Sequence, residues 1–189
     1  MKRIMSKMTI TWAMLLICAA AYGFDGGKVE VGASGGLFMS SDATFKEIYG
    51  KSLFVPELWF SYNVSEKVCL WAEAGFLSKE GTIEEIDEKA KVKSWQTGLG
   101  LGYRIDLGEK IRLTLGAGAA WYWFKEEAMA LSNSGGSLGL KLKACLDYAV
   151  GKRLFLRLAP GFSAVKKDAE DMDLKLGGLQ LTAGLGYIF

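Results

Sequence analysis

The chain has 189 residues, half of them hydrophobic, with Lys+Arg 23 against Asp+Glu 21. That is the length of one domain, too apolar for a disordered segment and without the basic field that nucleic-acid binding requires. It contains no histidine, which removes the commonest general base and metal ligand and excludes a Ser–His hydrolytic pairing.

Residues 1–23 read as an export signal. Lys2, Arg3 and Lys7 make a positive start, "MTITWAMLLICAAA" is an apolar core, and Ala21-Tyr22-Gly23 fits a small-x-small cleavage pattern. Cleavage is expected after Gly23, leaving a mature domain over 24–189 with a formal charge of −1. No later run is long enough for a transmembrane helix, so the apolar content needs another explanation.

From residue 28 onward the pattern is strand-like. Eight runs alternate with period two: 28–39, 52–62, 67–77, 93–105, 110–124, 137–150, 153–165 and 174–189. The connections after the second, fourth and sixth runs are tight and polar: "NVSE", "DLGE" and "GK". Those after the first, third, fifth and seventh are longer: "SSDATFKEIYGK", "SKEGTIEEIDEKAKV", "KEEAMALSNSGG" and "KKDAEDMD". One end of the sheet therefore carries all the long loops. Within them, "TIEEIDEKAKVK" suits a turn or two of helix with Glu–Lys pairs, or a solvated loop. Asp168, Glu170, Asp171 and Asp173 offer oxygen ligands for calcium, but at no EF-hand spacing; a solvated charged loop is the expectation.

Each run sorts into a greasy, uncharged face and a face of glycine with isolated charges. The last run gives Leu179, Leu181, Ala183, Leu185, Tyr187 and Phe189 on one parity, and Gly178, Gln180, Thr182, Gly184 and Gly186 on the other. Two closed barrels fit. A soluble lipocalin-like barrel would turn the greasy face inward around a lipid; a transmembrane barrel would turn it outward. Volume favours the second. An eight-stranded barrel is only wide enough for side chains or one small ligand, and the bulky set from eight strands does not fit inside. The glycine face does, leaving space for long charged side chains.

Aromatic residues gather at two levels of the greasy face. Tyr62, Tyr103, Tyr148 and Tyr187 end the even runs at the short-turn rim, while Trp95, Trp121, Trp123 and Phe162 lie toward the other rim. Two such girdles suit the two lipid headgroup regions. On the glycine face, Glu30, Glu57, Glu73 and Asp147 stand against Arg104, Arg112, Lys141, Lys143 and Arg157. Charges in a narrow lumen must be paired or hydrated, so the expectation is a network that plugs the barrel. A thin water-filled path, making a narrow porin-like channel, is the alternative. Cys69 and Cys145 share this face on the third and sixth runs, too far apart for a disulfide.

The chain ends on "TAGLGYIF", with Thr182, Gly184, Tyr187 and Phe189. This ending resembles the C-terminal assembly signal of bacterial outer-membrane barrels. With the leader and the eight alternating runs, the chain resembles the eight-stranded outer-membrane barrel family, which includes the OmpA transmembrane domain and OmpX. The resemblance implies an all-β, eight-stranded antiparallel up-and-down transmembrane β-barrel with short periplasmic turns and longer external loops. It implies a non-enzymatic protein of the outer membrane that serves a structural or surface-interaction role through its loops. The expected partners are outer-membrane lipids and lipopolysaccharide, the barrel assembly machinery and an unidentified loop ligand. Neither nucleic acid nor any cofactor or metal is expected, and the barrel is expected to be a monomer.

Overall fold

A computed structural model describes residues 29–83, 88–128, 131–169, 172–175 and 177–189. The expected signal segment lies outside them. The elements are β1 (Val29–Ser40), α1 (Ala43–Tyr49), β2 (Leu53–Asn63), β3 (Val68–Ile83), β4 (Glu88–Asp106), β5 (Ile111–Ala128), β6 (Leu131–Ala149), β7 (Leu154–Ala169), β8 (Met172–Lys175) and β9 (Gly178–Ile188).

Every strand from β1 to β7 pairs antiparallel with its successor, and β9 pairs with both β7 and β1. The seam runs from Glu30↔Ile188 to Ser40↔Gly178. β1–β7 and β9 therefore form the eight staves of a closed up-and-down barrel. Closure removes the sheet edge, which in hydrocarbon would leave unsatisfied N–H and C=O groups. The short turns behave as expected. The Ser65 and Leu107 amides donate to Val68 and Ile111, and that of Val150 to Leu154.

The period-two alternation becomes an inside and an outside. Along β2, Leu53, Val55, Glu57, Trp59, Ser61 and Asn63 are buried, while Phe54 and Leu58 are exposed. Outward leucines circle the barrel: Leu99 is 60% exposed, Leu140 70% and Leu185 51%. A belt of that extent far exceeds the roughly few hundred Å² that a water-soluble surface tolerates. With the leucines outside, the soluble, inward-greasy barrel is set aside.

The two prolines sit where ladders lapse. Pairing of β2 with β3 stops at Glu57↔Gly75, one residue before Pro56. Pairing of β6 with β7 skips Ala144 and Cys145, opposite Ala159 and Pro160. Proline has no N–H to give to the ladder.

The long connections differ from expectation. The ladder of β3 with β4 continues to Ile83↔Glu88, and that of β5 with β6 to Ala128↔Leu131. Segments read as loops are thus strand extensions, and the helical turn considered for "TIEEIDEKAKVK" is strand at both ends. Cross-strand pairing overrides the weak helical preference of Glu and Lys. β3–β6 form one four-stranded wing rising past the barrel on one side. From Phe76 to Ile83 it gains about 23 Å along the strand. β8 makes a small hairpin with β7, from Lys166↔Lys175 to Ala169↔Met172, where a loop was expected.

A helix was not foreseen in the first connection. The Asp42 carboxylate caps α1 by accepting from the Phe45 amide at 2.9 Å. Gly50, at φ 90°, ends it while its amide donates to the Lys46 carbonyl. Phe45, Ile48 and Tyr49 pack against Phe38, Leu53, Val55, Leu77, Ala90 and Val92. α1 also lies tight on β3, since a Cβ at Gly81 would meet the Ile48 carbonyl oxygen at 2.1 Å. An apolar cap of α1 residues therefore packs at the long-connection end of the barrel.

Candidate functional site

All nine charged residues singled out in the sequence turn into the lumen, and they gather at two levels. The level nearer the short turns joins five strands. Glu30 of β1 takes Arg104 of β4 and Arg112 of β5, each at 2.9 Å. Asp147 of β6 takes Arg112 at 2.9 Å and Arg157 of β7 at 2.7 Å. Arg157 also lies over the Trp59 ring, its Cζ 3.7 Å from the centroid. Three guanidiniums face two carboxylates here, an arrangement that suits the forked geometry of arginine.

The second level lies toward the cap. Glu73 of β3 pairs with Lys143 at 2.8 Å and with Lys141, both from β6. Lys143 also sits 3.9 Å above the Trp71 ring. Glu57 makes no ion pair among the described residues. Its carboxylate accepts from the Gln180 amide at 2.9 Å and the Ser34 hydroxyl at 3.2 Å, and Gln180 accepts in turn from Lys141 at 3.2 Å. Above this, Tyr122 and Ser163 share a hydrogen bond of 2.8 Å. Eight of the nine charges thus lie in ion pairs, and the ninth is held by neutral donors. Cys69 and Cys145 are buried and free.

The glycine face holds rings as well as charges. Glu73 lies against Gly98 and Lys143 against Gly116, and indole rings share the space over the glycines. Cβ atoms at Gly98, Gly100 and Gly116 would come within 2.9 Å of the Trp71 indole. Gly32 and Gly186 would meet Trp59. The Trp71 indole N–H donates to the Leu101 carbonyl at 3.0 Å, fixing the ring in its glycine trough. The lumen is a laminate of indoles, guanidiniums and ammoniums, with cation–π contacts binding the layers. Parity carried this signal: Trp59 shares its face with Glu57, Trp71 with Glu73, and Phe155 with Arg157.

On the outer face, Tyr103 and Tyr148 stand exposed toward the short-turn rim, with Tyr187 and Tyr62 less so. Trp95, Trp121, Trp123 and Phe162 are exposed toward the wing. Trp95 pairs across strands with both Trp123 and Phe76. Tyr103 and Trp95 are eight steps apart on β4, about 27 Å along the strand. A tilt of about 40° reduces this to about 21 Å, close to the ~25 Å apolar band of an outer-membrane barrel. Thr182 and Gly184 of the terminal motif face inward, whereas Tyr187 and Phe189 face outward. The Phe189 amide donates to the Val29 carbonyl at 2.9 Å and its ring packs edge-on to Tyr187. The last residue therefore lies on the closing seam. The acidic loop considered for calcium lies partly outside the described residues, and among those described no metal-binding cluster occurs.

In fold the chain is similar to OprG of Pseudomonas aeruginosa, at a TM-score of 0.70 and 15% identity over 88% of this chain and 98% of that one. It is likewise similar to Neisserial surface protein A, at 0.65 and 17%, covering 88% and 99%. Ail, the attachment invasion locus protein of Yersinia pestis, gives 0.58 and 13%, covering 86% and 97%. No curated protein matches the chain in sequence. A match to the family described as "Outer membrane protein beta-barrel domain" spans residues 9–189. With the closed eight-stranded barrel and its outward leucines, this shows that the chain belongs to the outer-membrane β-barrel domain family.

Proposed function

We propose that the protein is exported, loses residues 1–23, and serves as a sealed membrane anchor for a surface-interaction module. The module is the four-stranded wing of β3–β6, and the observation that carries the reading is its asymmetry. β3 loses its β2 partner above Gly75 yet continues to Ile83. Its outer edge beyond that point has no strand partner among the described residues. An unpaired edge above a membrane is a template for another chain's strand. Lys91 and Glu80 pair at 2.5 Å on the wing. Lys91's hydrogen bond and charge hold the Glu80 carboxyl below the usual carboxylate range. The shared fold with Ail, named for attachment and invasion, agrees with this use.

The lumen reading goes with it. Two ion-paired levels and an apolar cap leave the barrel suited to anchoring, with outer-membrane lipids around its belt. Planar-bilayer recording of purified protein tests the seal: no steady conductance steps are expected, and large steady steps would establish the narrow channel instead. Replacing residues 79–92 and 125–134 with two-residue turns tests the wing. Cells expressing the trimmed barrel should lose adhesion to each other and to immobilised protein and polysaccharide surfaces. Unchanged adhesion, with the barrel still heat-modifiable on gels, would refute the assignment.

A further inference from the structure

Outside the lumen, the described surface holds an open groove of about 680 Å³ on the face opposite the wing. Its floor is a row across three staves. Met39 of β1 lies beside Leu179 of β9, and Leu179 beside Phe162 of β7. All three side chains point outward and are exposed. Below them on the same face, Leu37 and Leu181 pair and continue the apolar track toward Ala183. The upper wall is different. It is made by Lys46, Glu47 and Lys51, from α1 and the residues after it. Neither ammonium has an ion-pair partner among the described residues, and the two outnumber the single carboxylate.

The volume falls in the usual range for small-ligand sites. The polarity is divided, with the aliphatic and aromatic side chains of Met39, Leu179 and Phe162 on the strands and the two lysines on the side of α1. A neutral lipid leaves both ammoniums without a partner. A free anion leaves the apolar floor uncovered. We propose that the groove binds one phosphate-bearing lipid of the outer leaflet. An acyl chain follows Met39, Leu179 and Phe162 while Lys46 and Lys51 hold the phosphate. The capped helix α1 fixes one lysine relative to the floor, which distinguishes this place from bulk lipid contact. The proposal rests on the outward face meeting lipid, and is independent of what the wing binds or whether the lumen conducts.

The test is native mass spectrometry of the full protein, folded in detergent and released from its micelles. Lipid A carrying two phosphates is the probe, with its dephosphorylated form and inorganic phosphate as comparisons. One lipid A should be retained per protein. The Lys46→Glu, Lys51→Glu double variant should weaken retention about tenfold or more, as loss of charge-assisted contacts predicts. Lys152→Glu, at the opposite rim, should not. Heat-modifiable migration verifies that each variant is folded, so a failed fold is told apart from a lost site. Equal retention of the dephosphorylated lipid, unchanged retention by the double variant, or displacement by millimolar inorganic phosphate would each overturn the proposal.

Discussion

Glu73→Ala is the sharpest perturbation of the lumen. The carboxylate bridges Lys141 and Lys143, and all three side chains are almost fully buried, at 5%, 6% and 7% exposure. At an effective dielectric of about 20, the Lys143 contact alone represents about 6 kcal/mol of attraction. Desolvation offsets much of that. Removing one member of a buried pair costs about 3–5 kcal/mol, because the remaining charge has no compensation. Here two ammoniums are stranded, but Lys141 keeps Gln180 and Lys143 keeps the Trp71 face. A loss near 3 kcal/mol is therefore expected rather than twice the range. The assay is equilibrium urea unfolding in lipid vesicles, followed by tryptophan fluorescence with matched slopes. Glu73→Ala with Lys141→Met and Lys143→Met should recover most of the loss, because apolar replacements leave no stranded charge. If Glu73→Ala costs under about 1 kcal/mol, the lumen is wet enough to screen these pairs and the sealed barrel is wrong.

Gly116→Val would set a Cβ 2.9 Å from the Trp71 indole nitrogen. It should cost about 1–3 kcal/mol by overpacking, and Trp71→Leu should relieve that cost in the same unfolding assay. Deleting Phe189 removes the amide bond to Val29 and the edge-on contact with Tyr187. Assembly into membranes should slow severalfold in a pulse-chase of heat-modifiable product, and an unchanged rate would remove the terminal residue from the assembly signal. Because Cys69 and Cys145 are buried and free, thiol reagents should label neither in the folded mature protein. Both should label after unfolding without reductant; labelling of neither would reveal a disulfide. Mass measurement of the mature protein should place its first residue at 24; a different start would move the cleavage site.

Much of this protein is legible because a barrel wall is a one-dimensional code. Each residue faces either lipid or lumen, so parity along a single strand places Leu99 outside and Arg104 inside without knowledge of any neighbour. Turn chemistry and alternating loop length give strand order, since up-and-down connection leaves little choice. The eight staves, the inward charges and the two aromatic levels follow from such local rules. What parity leaves open is which inward residue meets which. Glu73 on β3 finds Lys143 on β6 across the lumen, and Glu57 finds an amide in place of a cation, because strand stagger sets the heights. Trp71 raises the same question of height: its glycine trough is drawn from β4 and β5, the next two staves, and the stagger of those ladders sets which glycines lie beside the ring. The wing and α1 escaped for a related reason. Glu- and Lys-rich segments lean only weakly toward helix and are readily solvated as loops, so nothing local marks them as strand. Only the neighbouring ladder carried β3 and β4 upward, and only the apolar mouth gave Phe45 and Tyr49 a surface to cover. Facing was decided by the order of residues; partners and heights were decided by the closing of the sheet, since contacts across a lumen depend on where two distant strands come to lie.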